Sequence, residues 1–145
     1  MKLSRPLHLL LLSFLFTLAA CSHTPDEQQV RDAIHAAAAA AEQTDAGDFG
    51  DFLSEDFDGN SGRLDRRKLM SMLRLQHFRG DKVSVLLGPL TVEPRGDRMV
   101  ADFTVTLGGG GRLLPDRLGV YKVQTAWKRE DGQWRCYNAS WKRNL

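Results

Sequence analysis

Cysteine and histidine are scarce in this chain of 145 residues. It contains two cysteines, Cys21 and Cys136, and four histidines, and none of them forms a cluster with the spacing of metal ligands. No serine, histidine and aspartate set follows the logic of a catalytic triad. We therefore predict no metal site, no cofactor and no catalytic residue, and we expect binding rather than catalysis.

The sequence also lacks a strong excess of one charge. Its 20 basic and 18 acidic residues leave a formal net charge of +2, and a nucleic-acid-binding domain would show a larger basic excess, so we expect no nucleic-acid partner. The charges are nevertheless segregated. Residues 26–58 hold ten acids and one base, whereas residues 63–145 hold seventeen bases and eight acids. Either the two parts compensate each other within one fold, or the second part presents a basic surface to an anionic partner such as lipid headgroups or polyanionic glycans.

The apolar run at the N-terminus is too short to span a bilayer. Lys2 and Arg5 precede a largely apolar stretch over residues 7–20, whereas a membrane-spanning helix needs about 20 apolar residues. A positive start, a short apolar segment and a small-residue end are typical of an export signal peptide. We predict that residues 1–20 are a signal peptide.

That apolar run ends on a single cysteine. Residues 18–21, LAAC, resemble the lipobox of bacterial lipoprotein signal peptides. The resemblance implies that Cys21 is acylated, with palmitate-type chains, and becomes the first residue of the mature protein. Ser22 follows it, which by resemblance to enterobacterial sorting favours the periplasmic face of the outer membrane. The membrane is then a partner through the lipid anchor, and residues 21–25 form a short tether. An ordinary secretory signal followed by an unmodified cysteine is the alternative.

Residues 26–145 have the length of one domain with a real core. Thr24 is a predicted N-cap, and apolar residues at helical spacing, such as Val30 and Ile34, predict a first helix that ends near Gly47. A short second helix is predicted over residues 48–53. Asp65 predicts the cap of a third helix that ends near Gly80.

Beyond Gly80 the apolar period changes from helical to two, which predicts strands. One strand covers residues 83–92 with a break at Gly88 and Pro89, and another covers residues 99–107 with Asp102 facing outward. A long glycine-rich loop is predicted over residues 108–119. The pair Asp131 and Gly132 is a strong signal for a two-residue hairpin turn between the last two strands.

This turn predicts a register for the hairpin, in which Trp127 pairs with Cys136 and Thr125 pairs with Asn138. Simple alternation then sorts the side chains onto two faces, with Cys136 as a small core residue. On the concave face it places the candidate pocket residues Tyr121, Thr125, Trp127, Asn138 and Ser140. On the convex face it places the candidate interface residues Lys122, Arg135, Tyr137 and Trp141.

Three segments carry a family resemblance: Asp48 and Phe49, the sequence LSEDF at 53–57, and residues 125–140 with their DG-x-W turn. Together with the element order they resemble the nuclear transport factor 2-like (NTF2-like) superfamily, which includes ketosteroid isomerase and SnoaL-like polyketide cyclases. The resemblance implies an α+β fold. N-terminal helices would pack in a strongly curved antiparallel sheet, a cystatin-like cone with a pocket at its open end.

Three functions are compatible with this domain. The first is a membrane-anchored periplasmic lipoprotein whose cone binds a small apolar ligand or a protein partner. The second is an isomerase, cyclase or lyase of the same superfamily, although the carboxylate base that the resemblance implies has no evident counterpart here. The third is an immunity or envelope-complex partner that forms a homodimer or binds an envelope protein through the convex face.

Overall fold

A computed structural model describes residues 25–110 and 119–144. The predicted signal peptide, Cys21 and all of the predicted tether except Pro25 lie outside these residues, as does most of the glycine-rich loop. In chain order the elements are α1 (Asp26–Glu42), α2 (Ala46–Asp51), β1 (Leu53–Gly59), β2 (Leu64–Asp65), α3 (Arg66–Arg79), β3 (Lys82–Arg95), β4 (Arg98–Gly110), β5 (Gly119–Glu130) and β6 (Gln133–Arg143).

The six strands form one curved sheet in the order β2-β1-β6-β5-β4-β3. Strands β3 to β6 are an antiparallel meander, because each pairs with the next in antiparallel register. The predicted loop over residues 108–119 was too long, since Gly108, Gly109 and Gly110 pair with β3 and Gly119 pairs with Leu107. The α+β fold is therefore confirmed. The sheet is mixed rather than wholly antiparallel, since β1 lies parallel to β6 and the sequence predicted no strand there.

The helix boundaries follow local hydrogen bonding. Helix α1 ends at Glu42 and not near Gly47, because Thr44 adopts a left-handed φ of 53° and the Asp45 carboxylate accepts a bond of 3.0 Å from Asp48 N to begin α2. Helix α3 matches its prediction. The Asp65 carboxylate caps it at 2.8 Å from Lys68 N, and Gly80 ends it with a φ of 68°, a conformation that glycine adopts without strain.

The core lies between α1 and the concave face of the sheet. Val30 and Ile34 on α1 are buried against Met99, Ala101 and Trp127. Burying one such aliphatic side chain contributes about 1.5 to 3 kcal/mol. Polar contacts position the helix: Arg31 Nη1 donates to the Leu90 carbonyl oxygen at 2.6 Å, and Glu42 Oε1 accepts from Val85 N at 2.9 Å.

The β5–β6 hairpin has its predicted turn but not its full predicted register. Trp127 pairs with Cys136 as predicted. Tyr137 is then an extra residue, so that Ala126 pairs with Asn138 and Thr125 with Ala139. The predicted pairing of Thr125 with Asn138 is wrong, because this β-bulge turns every later side chain of β6 to the opposite face.

An apolar cavity as the candidate functional site

A cavity of about 420 Å³ lies between α1 and the concave face of the sheet. Its helical wall is built from small side chains, Ala37, Ala38 and Ala41, which occupy one side of α1. Alanine favours the helix, and it also leaves unfilled the space that a leucine would occupy. The alanine run therefore creates volume without weakening the helix.

The sheet wall of the cavity comes from alternate residues of adjacent strands. Phe103 on β4, Val123 on β5 and Trp141 on β6 are directly opposed neighbours, and all three line the cavity. Leu69 of α3 contributes from the side. The lining is therefore aliphatic and aromatic over most of its area.

Few polar atoms belong to this lining, and the hydroxyl of Thr125 and the thiol of Cys136 each form a hydrogen bond within the protein. Thr125 Oγ1 accepts from Trp127 Nε1 at 2.8 Å. The thiol of Cys136 donates to the Asn138 carbonyl oxygen at 3.3 Å, and burial raises the pKa of this thiol to about 12, so it stays protonated at neutral pH. Tyr121 contributes the remaining hydroxyl. Among the described lining residues there is no carboxylate, imidazole or amine.

The structure divides the five predicted pocket residues into two groups. Tyr121, Thr125 and Trp127 line the cavity. Asn138 and Ser140 do not, because the bulge at Tyr137 turns them to the convex face, and their placement in the pocket was wrong.

Trp141 lines the cavity although it was predicted to lie on the convex face. Its ring lies against Gly59, where an added Cβ would approach Trp141 Cη2 to 2.9 Å. The sequence holds a signal for this arrangement. The apolar residues Trp134, Cys136, Ala139 and Trp141 break the period of two with one three-residue step.

The other three predicted interface residues do share the convex face. Tyr137 lies between two cations, with the Arg98 guanidinium 4.8 Å and the Lys128 ammonium 5.6 Å from its ring centre. Lys122 and Arg135 lie on the same face of β5 and β6. Asp102 also faces outward as predicted, and its Oδ1 accepts from Gln124 Nε2 at 2.9 Å.

An ion-pair network occupies one end of the convex face. Lys128 Nζ lies 2.9 Å from each carboxylate oxygen of Asp56 and 3.1 Å from Glu130 Oε1. The buried hydroxyl of Ser54 lies between these two carboxylates and can donate its proton to only one of them at a time. The hydrogen bond from Ser54 and the ammonium of Lys128 lower the pKa of Asp56 and of Glu130, and the two carboxylates raise the pKa of Lys128.

The described residues contain neither a metal-binding cluster nor a membrane-spanning helix. No group of three or more histidine, cysteine or acidic side chains there could hold a metal ion. No helix in residues 25–110 and 119–144 is both long enough and apolar enough to cross a membrane.

No protein-family model and no curated protein matches this chain. Solved structures do. An NTF2-like protein from Cytophaga hutchinsonii superposes with a TM-score of 0.69 and 15% identity, covering 81% of this chain and 98% of that one. An NTF2-like protein with a cystatin-like fold from Novosphingobium aromaticivorans superposes with a TM-score of 0.67 and 19% identity, covering 95% and 86%. The fold is NTF2-like.

This NTF2-like fold also occurs as part of a longer chain. Bd1075 of Bdellovibrio bacteriovorus superposes with a TM-score of 0.68 and 11% identity over 80% of this chain, but the match spans 41% of Bd1075. Identities this low establish a shared fold, and function has to be argued from the site itself.

Proposed function

We propose that this protein is a lipoprotein anchored by Cys21 to the periplasmic face of the bacterial outer membrane, and that its cone binds a small apolar ligand. The observation that carries the ligand proposal is the cavity of about 420 Å³ with its almost wholly apolar lining. Ligand pockets commonly have volumes of about 300 to 1,000 Å³ and a predominantly apolar lining.

The lining restricts the chemistry of the ligand. A charged group inside the cavity would lose its hydration and find no opposite charge among the described lining residues. The Thr125 hydroxyl accepts from Trp127 and can still donate its own proton, and the Tyr121 hydroxyl can both donate and accept. We expect a compact hydrocarbon or aromatic body with at most one or two hydroxyl or carbonyl groups, directed at Tyr121 or Thr125.

The same lining favours binding over acid–base catalysis. A general base must have a pKa near the working pH and must reach the substrate. The Cys136 thiol, with a pKa of about 12, does not meet the first condition. Asp102 does not meet the second, because it is exposed on the convex face. An isomerase, cyclase or lyase is therefore the weaker candidate.

The anchor follows from the resemblance at residues 18–21. One acyl chain gives only marginal attachment, whereas the two or three chains of such lipoproteins give a stable one. Five residues from Cys21 reach Asp26, which at about 3.5 Å per residue is about 18 Å. This short tether would hold the cavity near the membrane, where small apolar molecules accumulate.

Filling the cavity tests the ligand proposal. The full chain is titrated with N-phenyl-1-naphthylamine, a neutral apolar dye that fluoresces when bound. Ala38→Phe places a ring in the cavity, and Ala39→Phe adds the same ring on the exposed side of the same helix. We expect Ala38→Phe to weaken dye binding by about tenfold or more, with Ala39→Phe unchanged and both variants folded by circular dichroism.

A second filling variant, Ala41→Leu, covers the case in which Ala38→Phe does not fold. Wild-type protein that binds no dye, or dye binding that responds equally to the filled and control variants, would contradict the ligand proposal. Neither result bears on the anchor.

The anchor is tested separately. Cells that express the full chain are fed an alkyne-tagged palmitate, and the mature protein is analysed by mass spectrometry and membrane fractionation. We expect label in the outer-membrane fraction and none in Cys21→Ser, which retains Cys136 as the matched unmodified thiol. A free Cys21 thiol in the mature protein would disprove the anchor.

A further inference from the structure

Two pairs of cations lie directly opposite each other on β5 and β6. Lys128 pairs with Arg135 near the turn, and Lys122 pairs with Lys142 near the other end. Directly opposed residues have Cα atoms about 4.5 to 5.5 Å apart, and like charges in such positions repel. Each pair therefore needs opposite charge nearby.

The fold itself supplies that charge to the first pair. Lys128 forms ion pairs with Asp56 at 2.9 Å and with Glu130 at 3.1 Å. Arg135 Nε lies 3.9 Å from the second carboxylate oxygen of Glu130. Two acids thus face two bases at this end of the sheet.

The second pair receives no such compensation from the described residues. Neither Lys122 nor Lys142 forms an ion pair with any of them. Arg63, on the turn between β1 and β2, lies beside them and is likewise without an ion pair to a described residue. The neighbouring acid, Asp102, accepts a hydrogen bond from Gln124.

These cations line a trough of about 940 Å³ on the convex side of the sheet. Its floor is formed by β4, β5 and β6, and Pro89 and the turn at residues 60–63 border it. Ser140, which the bulge turned outward, adds a hydroxyl to the same trough. The trough is therefore a depression in the convex face that combines positive charge with a hydrogen-bonding group.

We propose that this trough binds a phosphate-bearing anion through Arg63, Lys122 and Lys142. Three cations and the single acid Asp102 leave a local charge of +2, which attracts a phosphate monoester with its charge of about −1.5 to −2 at neutral pH as well as the singly charged phosphodiester of a lipid headgroup. Arginine offers a bidentate fork to phosphate oxygens and lysine a compact point charge. This site lies on the opposite face of the sheet from the cavity and is independent of the apolar ligand proposed above.

Lysine footprinting tests this site on the full chain in a neutral detergent. Acetylation rates of individual lysines are read by peptide mass spectrometry, with inorganic phosphate or glycerol 3-phosphate added at constant ionic strength. We expect several-fold slower acetylation of Lys122 and Lys142, and unchanged rates at the exposed references Lys68 and Lys82. Equal protection of all four lysines, or protection of none in any arm, would overturn the proposal.

Vesicles distinguish the two sources of a phosphate group. The chain is reconstituted in phosphatidylcholine vesicles with or without phosphatidylglycerol. Protection of Lys122 and Lys142 that requires phosphatidylglycerol assigns the site to a lipid headgroup. Protection by glycerol 3-phosphate in detergent that is not increased by phosphatidylglycerol assigns it to a soluble phosphorylated molecule.

A matched pair of double variants completes the test. Lys122→Gln with Lys142→Gln removes two charges from the trough, and Lys68→Gln with Lys82→Gln removes two charges elsewhere. We expect the first pair to weaken binding of the protecting phosphate compound by about tenfold or more in calorimetry, since charge-assisted hydrogen bonds are lost. The second pair should bind as the wild type does. Equal weakening in both pairs would show a nonspecific charge effect and overturn the proposal.

Discussion

The two faces of β4, β5 and β6 differ sharply although the same strands form both. Phe103, Val123 and Trp141 line the apolar cavity on the concave side. Their immediate neighbours Asp102, Lys122 and Lys142 lie in the trough on the convex side. Because successive side chains of a strand point to opposite faces, one hairpin can serve two unrelated kinds of recognition. Whether a residue of these strands faces the cavity or the trough depends on a shift of a single position.

The convex face itself contains a second contrast. At one end, two opposed cations are matched by Asp56 and Glu130. At the other end, Lys122 and Lys142 are opposed without an ion pair to any described residue. The first arrangement stabilises the fold, whereas the second costs free energy, which the proposed anion would offset. The difference separates cations that form ion pairs with described residues from cations that remain available to the proposed anion.

The largest effect on stability is expected from variants that test which face of the sheet the residues after the bulge occupy. Ala139→Asp would bury an unpaired carboxylate on the concave side, whereas Ser140→Asp adds the same group to the exposed side. We expect Ala139→Asp to lower the free energy of unfolding by about 3 kcal/mol or more, and Ser140→Asp to change it by about 0.5 kcal/mol or less. Urea denaturation measures both, and the reverse order would mean that the hairpin has no bulge.

Smaller shifts, in the melting temperature, should distinguish the two cation pairs. We expect Lys128→Gln to lower the melting temperature, because Asp56 and Glu130 lose their partner. Lys122→Gln should raise it in phosphate-free buffer of low ionic strength, because repulsion from Lys142 is relieved. Both shifts should shrink in high salt. Equal shifts of the same sign in the two variants would remove the distinction between the pairs.

The pH dependence of stability should reflect the network around Ser54. The folded-state pKa values of Asp56 and Glu130 lie below their ordinary values of about 4. Their contribution is therefore complete above about pH 5 and is lost as the pH falls through the folded-state pKa values. Since the hydrogen bond from Ser54 is the largest cause of the shift at whichever carboxylate accepts it, Ser54→Ala should lose less stability between pH 5 and pH 2 than the wild type. The midpoints of urea unfolding are measured across this pH range for both proteins. The same pH dependence in Ser54→Ala and the wild type would contradict the role of Ser54 in lowering these pKa values.

The smallest effect concerns the thiol on the concave side. Burial raises the pKa of Cys136 to about 12, so the native thiol should not react with iodoacetamide at pH 8. Ser140→Cys, in a chain that also carries Cys21→Ser, provides an exposed thiol on the convex side of the same strand and should react readily. Mass spectrometry counts the adducts. Rapid modification of Cys136 in folded protein would show that the cavity wall opens.

Much of the fold was predictable because local rules decided it. The cap at Asp65, the end of α3 at Gly80 and the turn at Asp131 depend on residues within a few positions of one another. The break in β3 at Gly88 and Pro89 was predicted for the same reason and is present. Strand β1 was not predicted, because its pairing with β6 joins residues far apart in the sequence.

Half of the candidate site followed from alternation, and half did not. Tyr121, Thr125 and Trp127 precede the bulge, and their predicted positions on the cavity wall are correct. Asn138, Ser140 and Trp141 follow it, and all three were assigned to the wrong face. A bulge is a local insertion whose effect extends to the end of the strand.

By itself, the sequence determined the α+β class, the helix caps, the hairpin turn and the alternation that separates charged from apolar side chains, because these depend on neighbouring residues. Only the tertiary structure decided the position of the β-bulge, after which the side chains of β6 point to the opposite faces. It also decided that β1 runs parallel to β6 and which cations form ion pairs with described acids. These outcomes depend on packing between segments far apart in the chain. In this protein, that packing turned Trp141 into the cavity and left Lys122 and Lys142 on the convex face without an ion pair to a described residue.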